Sequence, residues 1–296
     1  MSIKDLIESK QHTFSFEVFP PKNDPSLEGI FNTIEELKEL EPDFISVTYG
    51  AMGTSKDKTV EIASRIKNHY GIESIAHLTC VTSSRTELES TIGELRKANI
   101  DNILALRGDI PESFDFSNLK DNFSYASDLI RHIRRAENMT IGAACYPEKH
   151  IEAISLEQDI EHLKRKVDEG ADFLITQLFF DNELFYDYYD LIQKKGINIP
   201  VIAGILPVLN KNQTSKIVEL SGCKFPSKFT RILNKYHDDP VALKEAGTIY
   251  ATEQITDLLS WGIKGIHLYT MNKSDTAKRI MGNIGHIRNN LKASSL

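Results

Sequence analysis

An eightfold alternation of strand-like and helix-like segments constrains this chain more than any other feature. The strand-like runs are Thr13–Val18, Phe44–Tyr49, Ser74–Cys80, Asn102–Arg107, Thr140–Tyr146, Phe173–Phe179, Val201–Leu206 and Gly265–Met271. Helical patterns are expected between them, at 27–40, 59–69, from the Ser84/Glu87 capping box, at 125–136, 155–170, 182–195, 212–221 and 240–261, with a last one at 274–291. Ser155 with Gln158 reads as a second capping box. Parallel strands need crossover helices, and strands buried on both faces read as near-continuous apolar runs. Eight βα units in 296 residues predict a closed (β/α)8 TIM barrel of the α/β class, as a single domain over 1–296. An open doubly wound sheet is the rival, but its dinucleotide form carries a glycine fingerprint after an early strand. No G-x-G-x-x-G and no Walker A pattern occurs.

Composition narrows the function classes. Apolar residues make up 41% and charged residues 26%, which is ordinary for a soluble globular protein. A net charge of −7 argues against nucleic acid as a partner. No apolar run is long enough to span a bilayer, and the acidic N-terminus, read as a short amphipathic helix, lacks a signal core. Three widely spaced cysteines, Cys80, Cys145 and Cys223, offer no disulfide framework, so the cytoplasm is the expected compartment.

In a barrel of this kind chemistry gathers at the C-terminal strand ends. Those ends carry Glu17, Thr48, His77, Arg107 with Asp109, Tyr146, Gln177 and Tyr269. The first strand alternates Phe14, Phe16 and Val18 against Ser15, Glu17 and Phe19, then stops at Pro20-Pro21. Its carboxylate is costly unless it is paired with a neighbouring loop or held for chemistry. In the fourth strand Ala105, Arg107 and Asp109 share one face; in the sixth, Phe173, Ile175, Gln177 and Phe179 do. Each residue has a plain alternative. His77 alone is as well read as a core histidine, Arg107 and Asp109 as a pair bonded to each other, Gln177 as a strand contact. Their convergence on one rim is what points to a site. The nine histidines show no metal-ligand spacing, so no metal is expected. No nucleophile elbow and no inward strand lysine is evident either. The remaining set suits general acid chemistry on a polar, partly anionic ligand. On the helix after the fifth strand Asp159, His162 and Lys166 share a face beside Arg165, either a solvated face or a cationic clamp for a pyrophosphate.

Ten motifs, in order along almost the whole chain, carry a family resemblance. They include Phe16-Glu17-Val18-Phe19-Pro20-Pro21-Lys22, Ser46-Val47-Thr48-Tyr49-Gly50-Ala51, His77-Leu78-Thr79-Cys80, Leu104-Ala105-Leu106-Arg107-Gly108-Asp109, Ala144-Cys145-Tyr146-Pro147-Glu148, Thr176-Gln177-Leu178-Phe179-Phe180-Asp181 and His267-Leu268-Tyr269-Thr270-Met271-Asn272. The chain resembles the methylenetetrahydrofolate reductases, in their bacterial, barrel-only form. The resemblance implies an FAD-binding catalytic barrel, reduced by NADH or NADPH, that passes hydride to 5,10-methylenetetrahydrofolate by ping-pong kinetics and so feeds methionine synthesis. It implies Glu17 as the general acid toward folate N10, a role that an apolar strand end favours by keeping the carboxyl neutral. It implies Asp109 as a second catalytic carboxylate, beside flavin and pterin, stabilising cationic character in the substrate.

By the same resemblance the FAD contacts are Thr48, Tyr49, Ala51, His77, Arg107, Gly108, Asp109, Ala126, Tyr146, His150, Ala153, Asp159, Arg165 and Lys166. The folate contacts are Asp109, Gln177, Gln213 and Lys273, with Gln177 also meeting the nicotinamide nucleotide. Two positions depart from the family pattern. Lys273 replaces the usual Arg, losing the bidentate fork for a carboxylate. Ile217 stands where an aromatic residue is usual. A homo-oligomer of the bare barrel is expected, without the eukaryotic domain that responds to S-adenosylmethionine. Another flavin-bound barrel oxidoreductase and a catalytically silent folate-binding barrel are the alternative readings.

Overall fold

The computed structural model describes residues 2–21, 26–49, 56–110, 114 and 121–293. Its strands are β1 (Thr13–Val18), β2 (Phe44–Val47), β3 (Glu73–Thr79), β4 (Asn102–Leu106), β5 (Thr140–Cys145), β6 (Phe173–Thr176), β7 (Val201–Ile205) and β8 (Gly265–Tyr269). All pair in parallel in chain order, and β8 returns to β1 to close the barrel. The closing register sets Glu17 beside Ser46 on one side and Tyr269 on the other.

Strand parity sorts the core into two layers. Phe14, Phe16 and Val18 on β1, with Ile45 and Val47 on β2, pack outward against the helices. Phe44, Ile75, Leu104, Phe173, Ile175 and Ile202 form a separate interior cluster, joined by Ile3 and Ile7 of α1 (Ile3–Ser9). The amphipathic start of the chain is therefore a plug in the barrel floor. Ser2 and Asp5 close a reciprocal capping box on it, and Ile3 N donates to the Asn102 side chain at 3.1 Å.

The outer ring comprises α2 (Glu28–Lys38), α3 (Lys56–Asn68), α4 (Arg85–Lys97), α5 (Ala126–Ala136), α6 (Leu156–Asp168), α7 (Asn182–Lys194), α8 (Lys211–Ser221), α10 (Pro240–Trp261) and α11 (Ser274–Asn283). The Ser84/Glu87 box forms as expected. The Ser155 box is only half made: Ser155 Oγ accepts from Gln158 N, but Gln158 Oε1 accepts from Ile154 N instead. Two helical segments depart from the sequence expectation. Ser227–Tyr236 forms an extra helix, α9, after Pro226, burying Phe229 and Leu233 one turn apart. The last helix breaks at Ile284, where Gly282, Asn283 and Gly285 disfavour continuation, and resumes as α12 (Gly285–Ala293). The β4 face also differs. Leu104 and Leu106 point inward and Ala105 outward, so Arg107 and Asp109 reach the rim from the loop beyond the strand. Among the described residues no helix is long and apolar enough to cross a membrane.

Candidate active site

The site is built upward from His267, which β8 holds completely buried inside the barrel. Its Nδ1 lies 2.7 Å from Ser15 Oγ and its Nε2 3.2 Å from Ser46 Oγ, across both neighbours of the β8–β1–β2 seam. Ser15 Oγ also lies 3.2 Å from the Ile266 carbonyl, to which it can donate. The two serines thus hold both ring nitrogens and fix the orientation of the imidazole. Phe44 stacks against the ring and Tyr269 meets it edge-on.

Above this floor stands Glu17. Its Oε2 is 3.5 Å from His77 Nε2 and 3.8 Å from His267 Nε2. The apolar setting expected for this carboxyl is thus corrected: two imidazoles and a phenol surround it, because strand parity aims polar residues of β1, β3 and β8 at the same level. His77 is buried, and its Nε2, at ion-pair distance from Glu17, lacks the alignment of a hydrogen bond and has no other partner. Burial pulls its pKa down to about 4 against the attraction of Glu17, with His267 lowering it further, so the ring is neutral at pH 7.

Around Glu17 opens a cavity of about 400 Å³. Of the expected site residues, Glu17, Thr48, Tyr49, His77, Arg107, Gly108, Asp109, Tyr146, His150 and Gln177 all line it. Burial raises the pKa values of Tyr49, Tyr146 and Tyr269, which keeps their phenols protonated. Tyr269 donates to the Thr176 carbonyl at 2.7 Å. Gly108 has φ +87°, and a Cβ there would lie 2.8 Å from Thr79 Cβ, so only glycine lets the loop after β4 turn this close to β3. Arg107 is not paired with Asp109. Both terminal nitrogens donate to Glu152, at 2.5 Å each, in a fork on the loop after β5.

The remaining expected residues lie around this cup. Asp159 is buried on α6 and accepts from His150 N at 3.1 Å, fixing the loop that carries His150. Lys166, one face-repeat along, donates to the Ala144 carbonyl at 2.6 Å and sits over the Tyr146 ring. Burial lowers its pKa, and Asp159 partly restores it. His162 and Arg165 are exposed, so the expected charged face divides between buried support and solvent. Ala153 is buried, and its carbonyl accepts from Lys149 Nζ. Ala126 opens α5. Gln213 is spent capping α8, its Oε1 accepting from Leu209 N and Asn210 N. Lys273 is exposed at the start of α11, and Ile217 is buried in the cluster under α8–α10. Ala51 lies outside the described residues.

Sequence reasoning passed over Ser15, Ser46 and His267 as site members, and also Thr79, Thr82 and Glu152. His267 shares parity with Tyr269, two residues on, which was a usable signal. Glu152 sits in an aperiodic loop and gave none. Among the described residues no group of three or more His, Cys, Asp or Glu is arranged to hold a metal ion.

The fold and the cup define a (β/α)8-barrel protein with a polar, carboxylate-bearing cavity at its C-terminal rim. The family model described as methylenetetrahydrofolate reductase matches residues 2–285. The chain is 36% identical over 297 residues to methylenetetrahydrofolate reductase (NADH) 1 of Arabidopsis thaliana, covering 96% of this chain and 50% of that protein. It is 35% identical over 275 residues to 5,10-methylenetetrahydrofolate reductase of Escherichia coli K12, covering 93% and 91%. This chain belongs to the methylenetetrahydrofolate reductase family. It spans about half the length of the plant and fission-yeast relatives it matches. In architecture it is similar, with TM-score 0.60 and 15% identity over 97% of this chain and all of the other, to a Clostridium thermocellum protein described as binding two copies of 5-methyl-5,6,7,8-tetrahydrofolic acid. That likeness concerns the fold.

Proposed function

We propose that this chain reduces 5,10-methylenetetrahydrofolate to 5-methyltetrahydrofolate with FAD as cofactor and NADH or NADPH as electron donor. The observation that carries the reading is the convergence of Glu17, His77, Arg107, Asp109 and Gln177 on one cavity in a member of this family. The cavity volume lies in the range of small-molecule sites. The donor set suits a flavin. His77 offers a buried nitrogen without a hydrogen-bond partner, Arg107 a guanidinium, Tyr49 and Tyr146 protonated phenols, and Gly108 a backbone that comes close without a Cβ. A bound flavin would supply hydride acceptance and hydride donation.

The chain's own residues do the rest. In this reading Glu17 gives a proton to folate N10, which opens the five-membered ring and exposes the one-carbon unit as a cation. His267, held in orientation by Ser15 and Ser46, and neutral His77 flank Glu17. Asp109, exposed on the rim, brings negative charge to a cationic substrate. Gln177 presents an amide that can meet pterin or nicotinamide. Alternating occupancy of a single cup gives ping-pong kinetics. The product would feed methionine synthesis, and a cytoplasmic homo-oligomer of the 1–296 barrel is the form we expect.

The test is an absorbance spectrum followed by anaerobic NADH or NADPH and then methylenetetrahydrofolate. A flavin band that bleaches with the nucleotide and returns with the folate is the expected result. Glu17→Gln should bleach normally and return at least about a hundredfold more slowly. Bleaching that never reverses with folate would point to a different flavin oxidoreductase. Failure to take up any flavin would remove the cofactor assignment.

A further inference from the structure

We infer that Glu152 is a tethered counter-anion that occupies the Arg107 guanidinium and must be displaced by the phosphate oxygens of an incoming flavin nucleotide. The inference rests on the cofactor reading above, and concerns how tightly and how selectively that cup holds its ligand.

Three observations support it. First, the fork is full: Arg107 Nη1 donates to Glu152 Oε2 and Nη2 to Oε1, both at 2.5 Å. This is the two-bond geometry with which a guanidinium takes a carboxylate or a phosphate, so a phosphate would compete for the same donors. Second, the two partners differ in setting. The Arg107 side chain is 24% exposed and lines the cavity, whereas that of Glu152 is 58% exposed and is not part of the cavity lining. When the pair opens, the carboxylate returns to water at little cost, while the guanidinium stays in the cavity needing an anion. Third, the loop around Glu152 is anchored without it. Asp159 holds His150 N, Gln158 holds Ile154 N, and Lys149 holds the Ala153 carbonyl. Glu152 can therefore swing away while the loop keeps its shape.

A tethered carboxylate competes at a fixed, high local concentration, so its removal should tighten binding of a phosphorylated ligand alone. Folate also carries carboxylates, and the test separates them by using flavins that differ only in phosphate. The dissociation constant of FAD is measured by diluting flavin-loaded protein and reading released flavin by fluorescence, for wild type, E152Q and E152D. Riboflavin, which has no phosphate, is titrated into flavin-stripped wild type and E152Q. E152Q is expected to hold FAD about three- to tenfold more tightly, and E152D to stay near wild type. Riboflavin should bind wild type and E152Q equally.

Equal FAD affinity for wild type and E152Q would overturn the inference. Weaker FAD binding by E152Q would also overturn it, assigning Glu152 to positioning Arg107 for the cofactor. An equal gain for riboflavin would overturn the phosphate as the competing group. A wild-type protein that binds no flavin at all would overturn the cofactor reading, and this inference with it.

Discussion

The hydroxyl of Ser15 lies 2.7 Å from Nδ1 of His267, two residues along β1 from Glu17. One strand thus carries both the carboxyl of the cup and a group that orients the imidazole beneath it. The other ring nitrogen, Nε2, lies 3.2 Å from Ser46 Oγ and 3.8 Å from Glu17 Oε2. The floor thereby sets a buried imidazole of fixed orientation directly beneath the carboxyl.

Removing that support should damage one half of the proposed reaction. Ser15→Ala leaves His267 Nδ1 without its hydroxyl partner and frees the ring to change orientation or tautomer beneath Glu17. Reoxidation by methylenetetrahydrofolate is expected to slow about tenfold or more, with reduction by NADH unchanged. Stopped-flow measurement of the two half-reactions checks this. An equal loss in both would mean that Ser15 only supports the fold.

Gly204→Ala should disturb the cup from its wall. A Cβ at this position would lie 2.3 Å from the Thr176 carbonyl oxygen and 2.6 Å from the Tyr269 hydroxyl that bonds to it. Overpacking of this kind typically costs about 1–3 kcal/mol, read here as a lowered urea midpoint. Adding Tyr269→Phe should not restore it, because the nearer obstacle is backbone. Full rescue by the double variant would show that the side chain was the obstruction.

His77 gives the stability a definite pH dependence. Unfolded, the ring takes up a proton below its ordinary 6.5; folded, burial delays uptake to about 4. The native state therefore has its full advantage above pH 6.5 and loses it as pH falls toward 4, by about 3 kcal/mol for this group. Urea unfolding at pH 7 and pH 4.5 should show wild type losing more stability than His77→Asn. Parallel losses in the two proteins would place the acid sensitivity elsewhere.

The barrel was legible because its signal is periodic. Parity along β1 correctly separated Phe14 and Phe16 from Ser15 and Glu17, and eight repeats of the βα unit set the closure. Parity failed on β4 because the strand ends at Leu106, and Gly108 at positive φ re-aims the loop beyond it. Side-chain pairing across loops has no period at all. Arg107 was visible as a rim cation, but its choice of Glu152 over Asp109 is a three-dimensional fact. So is the meeting of Ser15 with His267, 252 residues apart and joined only when β8 closes on β1. The extra helix α9 was readable from Phe229 and Leu233 behind Pro226, but its short run lies inside a polar insert.

The plug at the opposite end of the barrel should affect stability and not ligand affinity. Ile7 is fully buried with Ile3 against Phe44, Ile75 and Phe173, and α1 is too short to be stable without that contact. Ile7→Ala removes apolar volume that a rigid ring of strands cannot collapse to refill, at a cost of about 2–5 kcal/mol. The cup is built from the other ends of the same strands, where Glu17, His77 and Tyr269 are held by strand hydrogen bonds that the substitution leaves in place. A lowered unfolding midpoint with an unchanged FAD dissociation constant is the expected outcome. A matching loss of flavin affinity would mean that the floor and the rim are mechanically coupled through the barrel interior.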